Sequence, residues 1–336
     1  MAFKVNEYSY LSVSKLCNIY AKSIEPEDRD SVKAVFQIAH GMAEHSARYD
    51  RFAEFLAEHG YAVFINDHLG HGKSVSGDEE LGYFGRENGR DTLVGDVKTL
   101  TGIAQQEFPG KPVVLFGHSM GSFVVRKYCA RYGDKIDAAI FCGTSGANPG
   151  AGIGAAIAAF VAREKGDHYR SPLLDSLAFG SYNSHFKPPR TKFDWLTRDN
   201  EIVDRYIEDP LCGFLFTALG YRELFKLLQD ISAKNWYRNV PYILPMLLVS
   251  GEEDPVGSYG KGIREVSAGL KKSGHQDVTV KLYPGGRHEI LNELNRDEVY
   301  QDILNWADEK SPPRNLLPKE YDLDHENAAC LLFHQG

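Results

Sequence analysis

The sequence predicts an α/β fold: a mostly parallel central sheet with helices on both faces and an inserted, mainly helical cap. Two observations predict it. Apolar runs of strand length alternate with helical patterns in the first and last parts of the chain, an alternation typical of parallel sheets covered by helices. Between these parts, roughly 95 residues pass without a buried strand, far more than a loop normally contains.

The elements follow in order along the chain. Two short β-rich runs come first, at 8–13 and 18–23. Buried apolar runs predict strands at 34–41, 61–67, 112–119, 136–143, 245–251 and 278–284. Helical spacing of apolar residues predicts helices at 48–60, within 90–108, and at 121–132, 259–273 and 297–308. Strand and helix therefore alternate on both sides of the insertion.

Three parts are predicted from this pattern. Residues 1–145 and 241–310 form the α/β core, residues 146–240 form the inserted cap, and residues 311–336 form a C-terminal tail. The tail has no clear periodicity, so we expect it to run over the surface or to be partly disordered.

Composition excludes several classes of protein. The 336 residues are 43% hydrophobic and 25% charged, as in an ordinary globular protein. The net charge is 38 − 46 = −8, without a lysine or arginine run, so no nucleic-acid partner is expected. No segment has the length of a membrane span, and the N-terminus lacks a signal-peptide pattern. Five cysteines without CxxC spacing indicate reduced thiols and a cytoplasmic protein.

The motif GHSMG at 117–121 is the clearest chemical signal. It follows a buried apolar run directly and precedes a helical pattern. A serine in this context sits on a strained strand-to-helix turn, where residues two positions away must be small. Ser119 is therefore the candidate nucleophile, rather than a serine in an ordinary glycine-rich turn.

A nucleophilic serine needs a base and an acid, which in this fold follow it in the order serine, acid, histidine. His288, in GGRHE just after the last strand, is the candidate base, whereas His275 is expected in a surface turn at the opposite sheet edge. The loop GEEDPVG offers the acid, and Asp254 is preferred because the following proline rigidifies its turn. Glu253 is the alternative.

Acyl transfer also requires hydrogen-bond donors for the oxyanion. One should be the backbone N–H of Met120, directly after the nucleophile. The second should come from the loop after the strand that ends at His40, which selects the backbone N–H of Met42.

Five motifs together resemble a known family. They are HGMAEHSARY, NDHLGHGKS, GHSMG, GEEDPVG and GRHEILNE. In this order they resemble the monoacylglycerol lipase and lysophospholipase group of α/β-hydrolases, which also includes serine aminopeptidase-like members. The resemblance spans about residues 5 to 308 and implies an α/β-hydrolase fold with the triad Ser119, Asp254 and His288. It also implies that Met42 and Met120 are the oxyanion donors.

The resemblance also implies a role for Glu44 and Arg48, which would lie behind the site and help bind a polar head such as glycerol. The equal alternative is a structural ion pair that holds the loop after His40, which contains Met42 and is called the oxyanion loop below. The family usually has small residues where Met42 and Ala43 stand. We expect no metal at the DHLGHG segment, since it lacks the second ligand cluster that a metal site needs.

The cap opens with an Ala/Gly-rich apolar stretch at 151–162, which is too short to span a bilayer. It could be buried against the core, line an acyl-binding tunnel, or touch a lipid surface transiently. Burial is favoured because the stretch has no flanking basic face.

The sequence as a whole predicts a serine hydrolase of carboxylic esters, without a cofactor, acting on monoacylglycerols, lysophospholipids or short acyl esters. Two alternatives remain. One is an aminopeptidase or amidase, for which an acidic residue of the cap such as Asp204, Glu208 or Asp209 would hold a free amino group. The other is a non-catalytic binding protein of the same fold.

Overall fold

The computed structural model describes residues 2–311, so the predicted tail lies outside the described residues except for Ser311. Within this range eight strands form one sheet, in the order β1-β2-β4-β3-β5-β6-β7-β8. The strands are β1 (Phe3–Leu11), β2 (Asn18–Pro26), β3 (Ala34–Ala39), β4 (Tyr61–Asn66), β5 (Val113–His118), β6 (Ala138–Cys142), β7 (Met246–Gly251) and β8 (Val278–Tyr283). The strands β1, β2 and β4 pair antiparallel, and all other pairs are parallel. The predicted mostly parallel sheet is confirmed.

Nine α-helices are present in the described residues. They are α1 (Asp50–Glu58), α2 (Gly89–Glu107), α3 (Met120–Tyr132), α4 (Ala151–Lys165), α5 (Pro172–Phe179), α6 (Asn200–Glu208), α7 (Ala218–Ser232), α8 (Lys261–Lys272) and α9 (Arg296–Lys310). No helix among them combines the length and the apolar character needed to cross a bilayer.

The core lies on both faces of the sheet because its central strands are buried throughout. Successive side chains of a strand point to opposite faces, and Val35 and Phe36 of β3 accordingly belong to different apolar clusters. One cluster includes residues of α2, α3 and α8, and the other includes residues of α1 and α9. The parallel strands therefore deliver their carboxyl ends to one common edge, where the loops after β3, β5, β7 and β8 meet.

Helices and irregular segments occupy the region between β6 and β7, where the cap is predicted. Side chains cap three of these helices: Ser171 accepts from Leu174 N, Asp199 from two N–H groups of α6, and Thr217 from Gly220 N. The buried residues of helix α4 are all Ala or Gly, while Ile153 and Phe160 are 68% and 56% exposed. The cap boundaries themselves stay a prediction.

The interpretation of His275 as a surface residue is wrong. Its side chain is buried, with Nδ1 3.0 Å from the carbonyl oxygen of Leu270 and Nε2 3.2 Å from that of Val240. The imidazole thus joins the end of α8 to the segment before β7. A histidine between two elements can satisfy carbonyls from both, which the local pattern KSGHQD does not reveal.

Candidate active site

Ser119 lies at the turn between β5 and α3. Its backbone has φ +52° and ψ −122°, a strained conformation for any residue other than glycine. A Cβ on Gly117 would lie 2.4 Å from the carbonyl oxygen of Gly121, and one on Gly121 would lie 2.1 Å from that of Ala39. Glycine is therefore required at both positions, and the backbone can pass close enough to hold the serine at the tip of the turn.

His288 and Asp254 approach Ser119 from the loops after β8 and β7. Nδ1 of His288 lies 3.0 Å from Oδ1 of Asp254, and both side chains are buried. Nε2 of His288 is also buried and has no hydrogen-bond partner within residues 2–311. The carboxylate thus orients the ring through one nitrogen and leaves the other available for a proton from a hydroxyl group.

The environment of Asp254 keeps this carboxyl ionised. Burial alone would raise its pKa, but the charge of His288 and hydrogen bonds from His288, Ser250 and Val256 hold the pKa below its usual value. The Ser250 hydroxyl and the Val256 N–H each donate at 2.9 Å. Glu253, the alternative acid, is exposed to solvent. The structure therefore brings Asp254, and not Glu253, to the histidine.

Two neighbours fix the ring of His288 in place. The carbonyl oxygen of Trp195 accepts its backbone N–H at 3.4 Å, and the two rings are 5.1 Å apart. Gly143, at φ +58°, passes so close that a Cβ there would lie 3.0 Å from Cε1 of His288. The ring is thereby packed between the cap and the end of β6.

The loop after β3 passes directly beside the nucleophile. A Cβ on Gly41 would lie 3.2 Å from Cβ of Ser119, and the next residue, Met42, lines the same cavity as the serine. On the other side, Met120 begins α3, so its N–H has no partner inside the helix. Both expected oxyanion donors are thus on segments that adjoin Ser119.

A cavity of about 300 Å³ opens over Ser119 and His288. Its wall contains aromatic residues and three polar residues of the cap, namely Phe179, Phe193, Trp195, Phe214, Asp175, Asn183 and Lys192. A second cavity of about 70 Å³ is lined mainly by apolar side chains of α3, α5 and α7. Met42, Ser119 and Phe179 line both cavities. The candidate nucleophile therefore stands at the junction of a mixed pocket and an apolar pocket.

This geometry agrees with the comparisons with known proteins. The family model described as serine aminopeptidase, S33, matches residues 30–295. The chain belongs to this family. It is 30% identical over 310 residues to a monoacylglycerol lipase of Mycolicibacterium smegmatis, and the matched region covers 90% of this chain and 96% of the relative. Human monoglyceride lipase is 30% identical over 286 residues, and that match covers 83% of this chain and 84% of the human protein.

A solved structure agrees with this family assignment. A thermostable carboxyl esterase from Bacillus coagulans, in complex with glycerol, has a TM-score of 0.85 and 32% identity, covering 92% of this chain and 99% of that chain. The predicted α/β-hydrolase fold and the resemblance to the monoacylglycerol lipase group are confirmed.

In this S33 family member, Glu44 and Arg48 form a buried ionic cluster with Glu289. Glu44 accepts hydrogen bonds from Gly41 N at 2.5 Å, Arg48 at 2.5 Å and Tyr49 at 2.7 Å. Arg48 also donates two bonds of 2.7 Å to Glu289, the residue after the candidate base. The cluster ties the oxyanion loop to the loop of His288. The geometry matches the structural alternative, and a head-group role stays a prediction.

His118 completes this ionic cluster. Its Nδ1 lies 3.3 Å from Glu44, its Nε2 lies 3.4 Å from the carbonyl oxygen of His288, and the two imidazole rings are 4.7 Å apart. Burial alone would lower the pKa of His118, but the hydrogen bond and charge of Glu44 and the charge of Glu289 raise it above 6.5. Arg48 and His118 thus lie beside two buried carboxylates, and the raised pKa of His118 favours its charged form.

The DHLGHG segment forms hydrogen bonds with the oxyanion loop and with the residue at its start, His40. Asp67 accepts the N–H of Ser46 at 2.8 Å, and His68 N donates to Nε2 of His40 at 2.9 Å. Burial lowers the pKa of His40 and His71 to about 3. These neutral, buried rings are packed against each other, as expected of a structural motif.

Some residues of the site were not singled out from the sequence. His118 and Glu289 are the direct neighbours of the candidate nucleophile and base. Their places in the motifs GHSMG and GRHEILNE could therefore have indicated that they belong to the site. Trp195 and Tyr206 come from the cap, and no spacing in the sequence connects them to the catalytic motifs.

Proposed function

We propose that Ser119, His288 and Asp254 form a catalytic triad that hydrolyses a carboxylic ester through an acyl-enzyme. The observation that carries the proposal is the buried contact between Asp254 and His288, which lines the same cavity as Ser119 on its strained turn. Serine Oγ attacks the ester carbon while Nε2 of His288 takes its proton and then gives it to the leaving alcohol. Water, deprotonated by His288, attacks the acyl-enzyme, and Ser119 regains its proton as the acid leaves.

Two backbone groups assist these steps in the proposal. The N–H groups of Met42 and Met120 donate to the oxyanion of each tetrahedral intermediate, and one such donor contributes about 3 to 4 kcal/mol in other serine hydrolases. Asp254 stabilises the imidazolium form of His288 in the same steps. Its lowered pKa supports this role because the carboxyl stays ionised at neutral pH.

The relatives confirm the prediction of a carboxylic ester hydrolase. We extend the substrate of the two related lipases to this chain and propose monoacylglycerols first, with lysophospholipids or short acyl esters as the wider class. A cavity of about 300 Å³ is at the small end of ligand pockets, which favours an ester with a single acyl chain. The polar cap residues on its wall suit a hydroxylated leaving group.

We also propose transient contact between the cap and a lipid surface. Four apolar side chains of α4 and α5 are more than half exposed: Ile153, Phe160, Leu173 and Leu177. Exposed apolar groups of this kind on one cap are typical of interaction sites. Sedimentation with phosphatidylcholine vesicles tests this: the double variant Ile153→Ser, Phe160→Ser should lose binding, and Val5→Ser on β1 should not. Equal binding by all three proteins would contradict the contact.

A cytoplasmic location is proposed from the cysteines. The four cysteines in the described residues have free thiols, which is typical of proteins kept in a reducing compartment.

The aminopeptidase alternative receives little support from the acidic residues first considered for it. Asp204 pairs with Arg190 at 2.6 Å, Asp209 contacts His45 at 2.9 Å, and Glu208 is exposed. None of these three acidic residues lines the cavities at Ser119. Asp175 does line the larger cavity, so aminoacyl amides belong in the substrate panel.

Labelling with a fluorophosphonate probe tests the catalytic proposal. The unmodified protein should be labelled, Ser119→Ala should not, and Ser9→Ala, an exposed serine on β1, should be labelled normally. Hydrolysis of monoacylglycerols, lysolipids, p-nitrophenyl esters and aminoacyl amides then ranks the substrates. Normal labelling of Ser119→Ala would overturn the nucleophile, and a preference for amides would overturn the substrate class.

A further inference from the structure

Three potential metal ligands meet where the cap touches the oxyanion loop. His45 follows Glu44 in that loop, and Asp209 and Cys212 lie in the turn after α6. The imidazole nitrogen, a carboxylate oxygen and the thiol sulfur all lie within 4.8 Å of one another. Nε2 of His45 is already 2.9 Å from Oδ2 of Asp209.

Backbone hydrogen bonds hold the two ligand segments in register. The N–H of Cys212 donates to the carbonyl oxygen of Asp209 at 3.0 Å, which closes the turn. The N–H of Leu211 donates to Oδ1 of Asp209 at 2.9 Å and orients the carboxylate. The next residue, Gly213, donates to the carbonyl oxygen of Ala43 at 2.9 Å. The ligands are therefore brought together by the fold itself.

The three groups offer a cation one carboxylate oxygen, one imidazole nitrogen and one thiol sulfur at one place. A coordinated metal ion deprotonates a thiol outright. The charge of Arg48 is itself balanced by Glu44 and Glu289.

We propose that His45, Asp209 and Cys212 bind one divalent ion of the zinc class and that this ion fastens the cap to the oxyanion loop. Nitrogen, oxygen and sulfur donors together select zinc over magnesium or calcium. Tetrahedral zinc needs ligand atoms roughly 3.3 to 3.8 Å apart. The thiol sulfur therefore has to move inward by at most about 1.5 Å, and the His45–Asp209 pair, now 2.9 Å apart, has to open by about 0.5 Å. Water takes the fourth position.

Binding releases one proton. The zinc ion replaces the thiol proton of Cys212. The proton that Nε2 of the neutral His45 ring shares with Asp209 moves to Nδ1, so that Nε2 and the carboxylate each bind the metal. Because Met42 lies three residues before His45, the ion restrains the part of the loop that supplies an oxyanion donor. Zinc should therefore slow movements of the cap relative to the core.

Metal titration tests the proposal without relying on activity. Reduced protein competes for Zn²⁺ with a chromophoric chelator, and Co²⁺ is used as a spectroscopic probe. We expect one ion per chain, with a thiolate-to-cobalt charge-transfer band. His45→Gln and Cys212→Ala should bind at least about tenfold more weakly and lose the band. Cys17→Ala removes a thiol that contacts the carbonyl oxygen of Ser74 and is not part of the ligand group, so it should behave as the unmodified protein.

Two further measurements locate the ion. Asp254→Asn should retain full zinc affinity, since a loss there would place the ion at the triad and overturn the proposal. Hydrogen exchange should slow at residues 43–48 and 206–213 on zinc addition in the unmodified protein, and should not change in His45→Gln or Cys212→Ala. Absence of binding, or zinc affinity of His45→Gln and Cys212→Ala equal to that of the unmodified protein, also overturns the proposal. Circular dichroism of each variant verifies that it is folded.

Discussion

The catalytic edge of the sheet and the cap are held by different interactions. At the edge, the residues are buried and joined by polar contacts, of which the Glu44–Arg48–Glu289 cluster is the centre. In the cap, the helices pack through apolar contacts, and several of their large side chains are exposed. The groups expected to react are therefore fixed by short, directional hydrogen bonds. The cap residues that line the substrate cavity are held by less specific apolar packing.

The two regions touch at the oxyanion loop. The carbonyl oxygen of Ala43, at φ +50°, accepts the hydroxyl of Tyr206 at 3.0 Å and the N–H of Gly213 at 2.9 Å. Changes at the edge should therefore alter chemistry or stability strongly, and changes in the walls should alter selectivity more gently.

The largest effect is expected for Asp254→Asn. The amide cannot hold His288 in the required tautomer or stabilise its charged form, so kcat should fall about 10⁴-fold with the fold intact. Ester hydrolysis and circular dichroism measure this. Glu253→Gln is the matched control and should retain activity. If Glu253→Gln were the inactive variant instead, the acid would be misassigned.

Arg48→Met should destabilise the protein strongly. It leaves Glu44 and Glu289 buried without their cation, which costs about 3 to 5 kcal/mol in free energy of unfolding. Denaturant unfolding measures this change in the free energy of unfolding. The control, Arg51→Met, breaks an exposed ion pair with Asp297 and should change stability by less than about 1 kcal/mol. Similar losses for both variants would show that burial of the cluster is unimportant.

The ionic cluster should also make stability depend on pH through His118. Because its pKa is raised in the folded protein, the stabilising contribution is complete below pH 6.5 and is lost as the pH rises through the folded-state value. The advantage of the unmodified protein over His118→Gln should therefore shrink as the pH rises above 6.5. His59→Gln, at an exposed position, should show no such trend. A constant difference for His118→Gln would exclude a charged His118.

The smallest effect is expected from a wall residue. Met42 lines both cavities, and we expect its side chain to separate them, so Met42→Ala should join them while the backbone N–H remains. The ratio of kcat/KM for long over short acyl esters should rise about tenfold, and Met42→Leu should keep the original profile. An unchanged profile in Met42→Ala would show that the side chain does not separate the cavities.

The same contrast explains how much the sequence could predict. The alternation of strands and helices was readable because each unit carries its own periodicity, and motifs such as GHSMG lie at strand ends that a parallel sheet must bring together. The partners of Glu44 and Arg48 were not, since the contacts Glu44–His118 and Arg48–Glu289 join residues distant in sequence. The burial of His275 and the packing of Trp195 on His288 likewise depend on tertiary contacts.

The packing of helix α7 against the sheet affects both the thermal unfolding of the protein and the design of chimeras that exchange caps. Its residues Leu224 and Phe225 belong to the same apolar cluster as Val124 of α3 and Leu115 of β5. The cap and the sheet should therefore lose structure in one cooperative calorimetric transition. A chimera that exchanges caps between relatives would have to leave α7 with its own sheet, and place its junctions before residue 217.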